Sequence, residues 1–253
     1  MNLTGNTIFI TGGTSGIGLA LAKALHARGN QVIVAGRRKA LLAQIKAENP
    51  GMDAVQLDVA DPSQLKAVAA DVIARYPALN VVVNNAGIMP FDDAAGALDE
   101  TQAAHLVATN LLGPVRVSAA FVEHLKQQPQ SWIINNSSVL AYVPLASTAL
   151  YSATKAAIHS YSMSQRFALR DSSVKVLEIA PPWVDTDLIY KSSDPRAMPL
   201  DDFIAETLEK LSTATTEVVV DRIAAVRANP GADEHALVHQ FNLAMVQNPI
   251  PVA

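Results

Sequence analysis

Tyr151 and Lys155 stand four residues apart in the run Tyr151-Ser152-Ala153-Thr154-Lys155, which reads as the start of a helix. That spacing puts both side chains on one helical face, one turn apart. An ammonium held beside a phenol favours the phenolate, which makes a general acid/base from a group that ordinarily titrates near about 10. Ser138 precedes the tyrosine by thirteen residues, at the end of the apolar run Trp132-Ile133-Ile134-Asn135-Asn136-Ser137-Ser138. A strand end and a helix start joined by such a loop allow the two hydroxyls to converge on one substrate oxygen. Tyr-x-x-x-Lys also arises by chance on many helices, so the surrounding elements decide whether the pair does chemistry.

Thr11-Gly12-Gly13-Thr14-Ser15-Gly16-Ile17-Gly18 follows the apolar run Thr7-Ile8-Phe9-Ile10 and precedes a helical pattern in which Ile17, Ala20, Leu21, Ala24 and Leu25 share one face. Strand, glycine turn and helix in that order suit a dinucleotide. Gly12 permits the tight turn, Gly16 and Gly18 let the backbone approach the ligand, and the helix N-terminus offers N–H groups and a positive dipole to the diphosphate. The spacing G-x-x-x-G-x-G is looser than G-x-G-x-x-G, yet a mere strand–helix connection would explain one glycine and not three. Val81-Val82-Val83-Asn84-Asn85-Ala86-Gly87 is a further strand, ending in two amides and a small-residue turn. Ligands of a parallel sheet bind at the carboxyl ends of its strands, which places Asn84, Ala86 and Gly87 beside the cofactor.

Together these residues resemble the short-chain dehydrogenase/reductase family, from about Leu3 to Thr186. The resemblance implies an α/β Rossmann-type fold, a nicotinamide cofactor, and hydride transfer at an alcohol or carbonyl carbon. It maps a catalytic tetrad onto Asn110, Ser138, Tyr151 and Lys155. Tyr151 would protonate the nascent alkoxide during reduction, and Ser138 would hydrogen-bond the carbonyl oxygen. Lys155 would hold the nicotinamide ribose and lower the tyrosine pKa, while Asn110 would anchor a water that passes protons to Lys155. The opening Asn2-Leu3-Thr4-Gly5-Asn6-Thr7 and the segment Pro181-Pro182-Trp183-Val184-Asp185-Thr186 look like a narrower branch, which includes oxidoreductases found beside the D-alanylation genes of lipoteichoic acid. Most family members have Pro-Gly where this chain has Pro181-Pro182, a change that stiffens the backbone at the nicotinamide edge. Pro181 and Val184 flank that edge, and Thr186 sits where the family uses a hydroxyl against the carboxamide. The usual valine-aspartate-glycine-glycine closing strand is missing, and Thr216-Glu217-Val218-Val219-Val220 is the candidate for a short final strand.

The second strand candidate ends in Val34-Ala35-Gly36-Arg37-Arg38. An NAD enzyme normally places a carboxylate there for the ribose hydroxyls. Here Arg37 and Arg38 stand where a 2′-phosphate would lie, so the missing acid and the added bases both point to NADP(H). The plainer alternative makes both arginines solvated loop charges. Asp58 and Val59 flank the adenine, and Asp58 can equally be a strand-end turn residue. Expected at the substrate end are Ser138, Leu140, Tyr142, Pro182, Trp183 and Tyr190, with Ile88, Met89, Pro90, Phe91, Val139, Leu188 and Ile189 around them. Lys191 is the one cation nearby, so an uncharged, hydrophobic ketone or aldehyde is the expected substrate. The alternatives are an NAD-linked dehydrogenase of a hydroxylated sugar or steroid, and a non-catalytic NADP-sensing protein.

Strand candidates near Thr7–Thr11, Gln31–Ala35, Ala54–Asp58, Val81–Asn84, Ile133–Ser137 and Val174–Ile179 alternate with helical patterns over Gly16–Arg28, Ala40–Asn49, Pro62–Arg75, Glu100–Lys126 and Tyr151–Arg170. Such alternation implies a doubly wound parallel sheet with helices on both faces. One domain is expected over residues 1–253, with a substrate-loop region at 185–212 and a C-terminal extension at 221–253 outside the resemblance. The turn-rich Lys191-Ser192-Ser193-Asp194-Pro195 reads as a mobile loop near the site. Half of the 253 residues are hydrophobic, enough for a sizeable core. No cysteine is present, which excludes disulfides and thiolate chemistry. A net charge of −4 leaves no electrostatic footprint for nucleic acid. No basic stretch precedes Ile8-Phe9-Ile10 and no apolar run approaches about 18 residues, so neither signal peptide nor membrane span is expected and a cytoplasmic place fits. His235 and His239 could share a metal at their helical spacing, but a solvated face explains them better and no metal is expected. Small and apolar residues on the helices at Glu100–Lys126 and Tyr151–Arg170 suggest a homodimer or homotetramer.

Overall fold

The computed structural model describes residues 1–189, 194–228, 231 and 233–249. Among these, strands β1 (Thr7–Thr11), β2 (Gln31–Gly36), β3 (Asp53–Gln56), β4 (Leu79–Asn84), β5 (Ser131–Asn136), β6 (Val174–Ala180) and β7 (Glu217–Val219) form one parallel sheet in the order β3-β2-β1-β4-β5-β6-β7. Parallel neighbours need crossover connections, and helices supply them: α1 (Gly16–His26), α2 (Lys39–Glu48), α3 (Pro62–Arg75), α4 (Glu100–Val107), α5 (Gly113–Lys126), α6 (Ala149–Ala168) and α7 (Leu200–Thr213). After β7 come the single turn α8 (Ala224–Arg227) and the longer α9 (Glu234–Gln247). The expected doubly wound sheet is present, short final strand included. Strand order reverses between β1 and β4, which opens a crevice at their carboxyl ends.

Alternation along the strands builds two apolar layers. Ile8, Ile10, Val32, Val34, Val81 and Val83 face Leu21 and Leu25 of α1 and Phe203 and Leu208 of α7. Phe9, Ile33, Val82 and Ile133 face Val72 of α3 and Phe121 and Leu125 of α5, with the Phe9 and Phe121 ring centres 5.0 Å apart. Both faces are covered, so the strands read in sequence as unbroken apolar runs.

The single helix expected over Glu100–Lys126 is interrupted by a π-turn at Ala108–Leu112, which contains Asn110. Such turns bulge one residue out of the helix and recur at functional sites. By length and apolarity Glu100–Lys126 is also the one helix among the described residues that could cross a membrane. Its residues Val117, Phe121 and Leu125 pack on the sheet instead.

A polar ladder crosses this apolar interior. Asn84 Nδ2 donates to Ser118 Oγ at 2.9 Å and to Asn135 Oδ1 at 2.8 Å. Asn135 Nδ2 in turn donates to Ser162 Oγ at 2.9 Å and Gln165 Oε1 at 3.2 Å. All five residues are buried, so the ladder ties the site-bearing ends of β4 and β5 to α5 and α6. The Asn84 side chain is therefore spent as a brace between strands, buried away from the strand-end crevice where it is expected. Replacing Asn135 by alanine strands the partner groups on both sides, each at about 1–3 kcal/mol. Urea unfolding of Asn135→Ala should show a loss of roughly 2–4 kcal/mol at unchanged slope.

Candidate active site

The glycine loop closes against the end of β4. Gly12 has φ +66°, and a Cβ there would lie 2.7 Å from Ala86 Cα. A Cβ on Gly18 would run into the Gly12 carbonyl and the Asn85 amide, so Gly18 is needed for the packing of α1 on the loop more than for ligand approach. Asn85 is the clasp. Its Nδ2 donates to the Thr11 and Gly12 carbonyls at 3.1 and 3.2 Å, and its Oδ1 accepts from Asn136 Nδ2 at 2.8 Å. Thr11 Oγ1 accepts from the Asn85 and Ala86 N–H groups at 3.1 and 3.2 Å. The ends of β1, β4 and β5 are thereby locked together.

Tyr151 and Lys155 lie on the first turns of α6, as their spacing predicts. The helix start is held from a distance: Asp92 accepts from the Ala149 and Leu150 N–H groups at 2.9 and 2.8 Å, which caps the end that carries both residues. Lys155 Nζ donates to the Asn136 carbonyl at 2.7 Å and stands 5.6 Å from the centre of the Tyr151 ring. Burial pushes the tyrosine hydroxyl up to about 12, against the lowering effect of its hydrogen bond with Ser138. The lowering of the tyrosine pKa expected from Lys155 does not emerge here: burial dominates, and the effect that opposes it is the Ser138 hydrogen bond. Lys155 is lowered to about 8 by burial, partly countered by the Glu178 carboxylate. Asn110 grips Ile88 on both sides, accepting from its N–H at 2.9 Å and donating to its carbonyl at 2.8 Å. That holds the Gly87 turn beside Lys155, where any Cβ on Gly87 would meet Asn110 Oδ1 at 3.5 Å and Lys155 Nζ at 3.9 Å.

These residues open onto one cavity of about 930 Å³. It gathers Gly12, Thr14, Ser15, Gly16, Ile17, Gly18, Arg37, Arg38, Asp58, Val59, Ala86 and Gly87 at one end. At the other stand Ser138, Leu140, Tyr151, Lys155, Pro181, Pro182, Trp183, Val184 and Thr186. Asn110 lies behind the wall. Asp58 is a turn residue as well, its Oδ1 accepting from the Ala60 N–H at 2.9 Å. The Asn136 side-chain oxygen at the cavity wall is buried with no protein partner. Arg38 spans the mouth of the glycine loop, its Nη2 donating to Thr14 Oγ1 at 2.7 Å and Ser15 Oγ at 2.6 Å.

Three expectations fail or fall elsewhere. Tyr142 points away from the cavity: its ring meets His159 edge-on at 5.1 Å and its hydroxyl lies 3.5 Å from Glu178 and Glu217. Phe91 is exposed at the surface. Tyr190 and Lys191 lie outside the described residues. The cavity also has walls that no local motif announces, namely Arg196, Arg222, Phe241 and Met245. Two arginines therefore reach a pocket expected to lack them. Arg196 arrives with its charge answered by Asp194, 2.8 Å away, and lies over the Trp183 ring at 5.2 Å. His235 and His239 are both exposed. Among the described residues His159, Glu178 and Glu217 make the one cluster of metal-ligand spacing. Ser137, His159 and Arg227 already bond its carboxylates.

Comparison with known proteins extends these observations. A family model for short chain dehydrogenases matches residues 6–197. The uncharacterized oxidoreductase DltE of Bacillus subtilis is 42% identical over 96% of this chain and 98% of its own length. A short chain dehydrogenase from Burkholderia cenocepacia, solved in complex with NADP, matches with a TM-score of 0.82 and 25% identity over 99% of this chain and 100% of that one. A short chain dehydrogenase/reductase from Burkholderia phymatum, solved in complex with NAD, matches with a TM-score of 0.80 over 100% of this chain and 99% of that one. At 19% identity the likeness is one of fold alone.

The contact of Gly18 with the Gly12 carbonyl makes the loop sensitive to one methyl group. Calorimetric titration of Gly18→Ala with a nicotinamide dinucleotide should show affinity at least about tenfold weaker, since the N–H groups that would meet a diphosphate move with the loop.

Proposed function

Because the chain belongs to the short-chain dehydrogenase family, in the branch of the B. subtilis relative, we propose that it is an NADPH-dependent reductase of uncharged, apolar ketones or aldehydes. The observation that carries this reading is the meeting of Ser138, Tyr151 and Lys155 in one mostly apolar cavity whose far end is the glycine loop. The glycine cradle, which Cβ atoms would fill, and the unpartnered Asn136 oxygen fit a dinucleotide. When bound, the nicotinamide supplies the hydride that adds to the carbonyl carbon. Tyr151 stays protonated through the physiological range and gives its proton to the oxygen, so that carbonyl, hydride and proton together make the alcohol. Ser138 donates a hydrogen bond to that oxygen. Lys155, fixed by the Asn136 carbonyl, presents its ammonium to the ribose and to the proton donor.

Arg38 supports NADPH. Its guanidinium is held by two neutral hydroxyls at the loop mouth, and a phosphate there would gain a charge-assisted, two-pronged bond. Such a bond is worth about 1.5–3 kcal/mol, roughly tenfold to a hundredfold in affinity. The neutral-substrate reading rests on the mostly apolar lining and on the engagement of both cavity arginines, Arg196 by the Asp194 carboxylate and Arg222 by the Arg196 carbonyl. The outward apolar residues Leu112 of the π-turn and Met163 and Phe167 of α6 support assembly into a dimer or tetramer.

Turnover of a carbonyl panel with NADPH and NADH tests the cofactor. NADPH should lead, and Arg38→Ala should erase about a tenfold part of that lead; equal efficiency with both cofactors in the unmodified protein would overturn it. The acid/base assignment is tested by Tyr151→Phe, which should keep NADPH binding while kcat falls about a hundredfold or more. The pH profile separates the two groups. The lysine ammonium exists below its pKa of about 8 and is lost above it, while the tyrosine at about 12 keeps its proton. Reduction should therefore decline as pH rises through about 8; a flat profile up to about pH 10 would remove Lys155 from the mechanism.

A further inference from the structure

The outer end of the cavity is closed by α9, a helix with no fully buried residue. It nevertheless touches the site at two points one turn apart. Phe241 and Met245 both line the cavity, and both pack on the cluster of Leu106, Leu140, Leu145 and Tyr151. Their spacing of four puts them on the same helical face, while Leu243 and Val246 are exposed. Polar latches hold the helix in place. Asn242 Oδ1 accepts from the Ala146 N–H at 2.5 Å, and its Nδ2 donates to the Pro144 carbonyl at 2.9 Å. Beyond the helix end, Arg196 donates to the carbonyls of Asn248 and Pro249. The latches therefore fix where α9 sits, and its inward apolar contacts are spent on the site wall.

We propose that α9 is the specificity wall of the pocket, and that Phe241 and Met245 set how large an apolar group beside the carbonyl is accepted. The ring of Phe241 limits the space. Met245 occupies the cavity one turn further along α9, opposite solvent-exposed Leu243 and Val246, so its truncation enlarges the same end of the pocket. The ligand class is a ketone or aldehyde with an aryl or branched alkyl substituent on the side that reaches α9. This assignment rests on the carbonyl-reduction reading of the same cavity.

The test compares benzophenone with acetophenone in the full chain, by kcat/KM with NADPH and by calorimetric binding with NADP⁺ present. Phe241→Ala and Met245→Ala should each raise the benzophenone-to-acetophenone ratio about tenfold, the scale at which pocket volume discriminates. Phe241→Leu, which keeps an apolar contact and so keeps α9 docked, should move the ratio in the same direction by a smaller factor. Leu243→Ala, on the exposed side, should leave it unchanged. A ratio that stays put in all three pocket variants overturns the proposal, as does an equal change in Leu243→Ala. If no carbonyl is turned over but the binding ratio shifts, carbonyl reduction fails and α9 stands as the pocket wall. If neither ketone binds the unmodified protein, α9 loses its role.

Discussion

Everything at the site depends on the Asn85 amide. One side chain reaches the Thr11 and Gly12 carbonyls on one side and the Asn136 amide on the other. Lys155 then bonds the Asn136 carbonyl, so a line of contacts runs from the glycine loop through Asn85 and Asn136 to the ammonium. Neighbouring parallel strands end at independent heights unless something sets them, and the last backbone groups at a sheet edge need partners. Asn85 meets both needs with one side chain. It ties the loop that would hold a diphosphate to the lysine that would hold a ribose.

The polar groups behind the site serve a related purpose. Asn84 and Asn135 carry hydrogen bonds through a layer that is otherwise hydrocarbon, where an apolar pair would pack as well but would not choose one register. Buried networks of this kind act as high-stakes alignment: each partner left unpaired is costly, so slipped arrangements are penalised. Asp92 extends the same logic over a longer reach, answering the free N–H groups at the start of α6 from the loop after β4. Its carboxylate also sits at the positive end of the helix dipole. The start of α6 that carries Tyr151 is thus held by a side chain far from it in sequence.

Much of this was legible in the sequence because it is local. The glycine turn between an apolar run and a helical pattern, the Tyr151–Lys155 spacing and the alternation of strands with helices all declare themselves within a dozen residues. The tandem Asn84-Asn85 was legible only to within one residue. Asn84 is the last residue of β4 and its side chain turns into the core, while Asn85 lies past the strand and is free to reach across. Tyr142 failed for a similar reason, since a short helical turn at Val139–Ala141 rotates it away from the cavity that Leu140 lines. Nothing in the periodicity of Glu100–Lys126 marks the π-turn, because an added residue per turn leaves an apolar helix apolar. Arg196, Phe241 and Met245 were out of reach altogether. Their partners lie far away in the chain, and residue types alone do not carry that information.

The sheet order also has a consequence for the chain while it is being made. β1 precedes β2 and β4 in the chain, yet it is a central strand, paired to β2 on one side and to β4 on the other. Its second edge has no partner until the ribosome has released Asn84. At a synthesis rate of about 5–20 residues per second, the interval is roughly 4–15 seconds. For that time Ile8, Phe9 and Ile10, each fully buried in the finished protein, border an open strand edge of the kind that recruits other strands. The pairing that places the crevice in the middle of the sheet therefore leaves one edge of β1 open until β4 arrives.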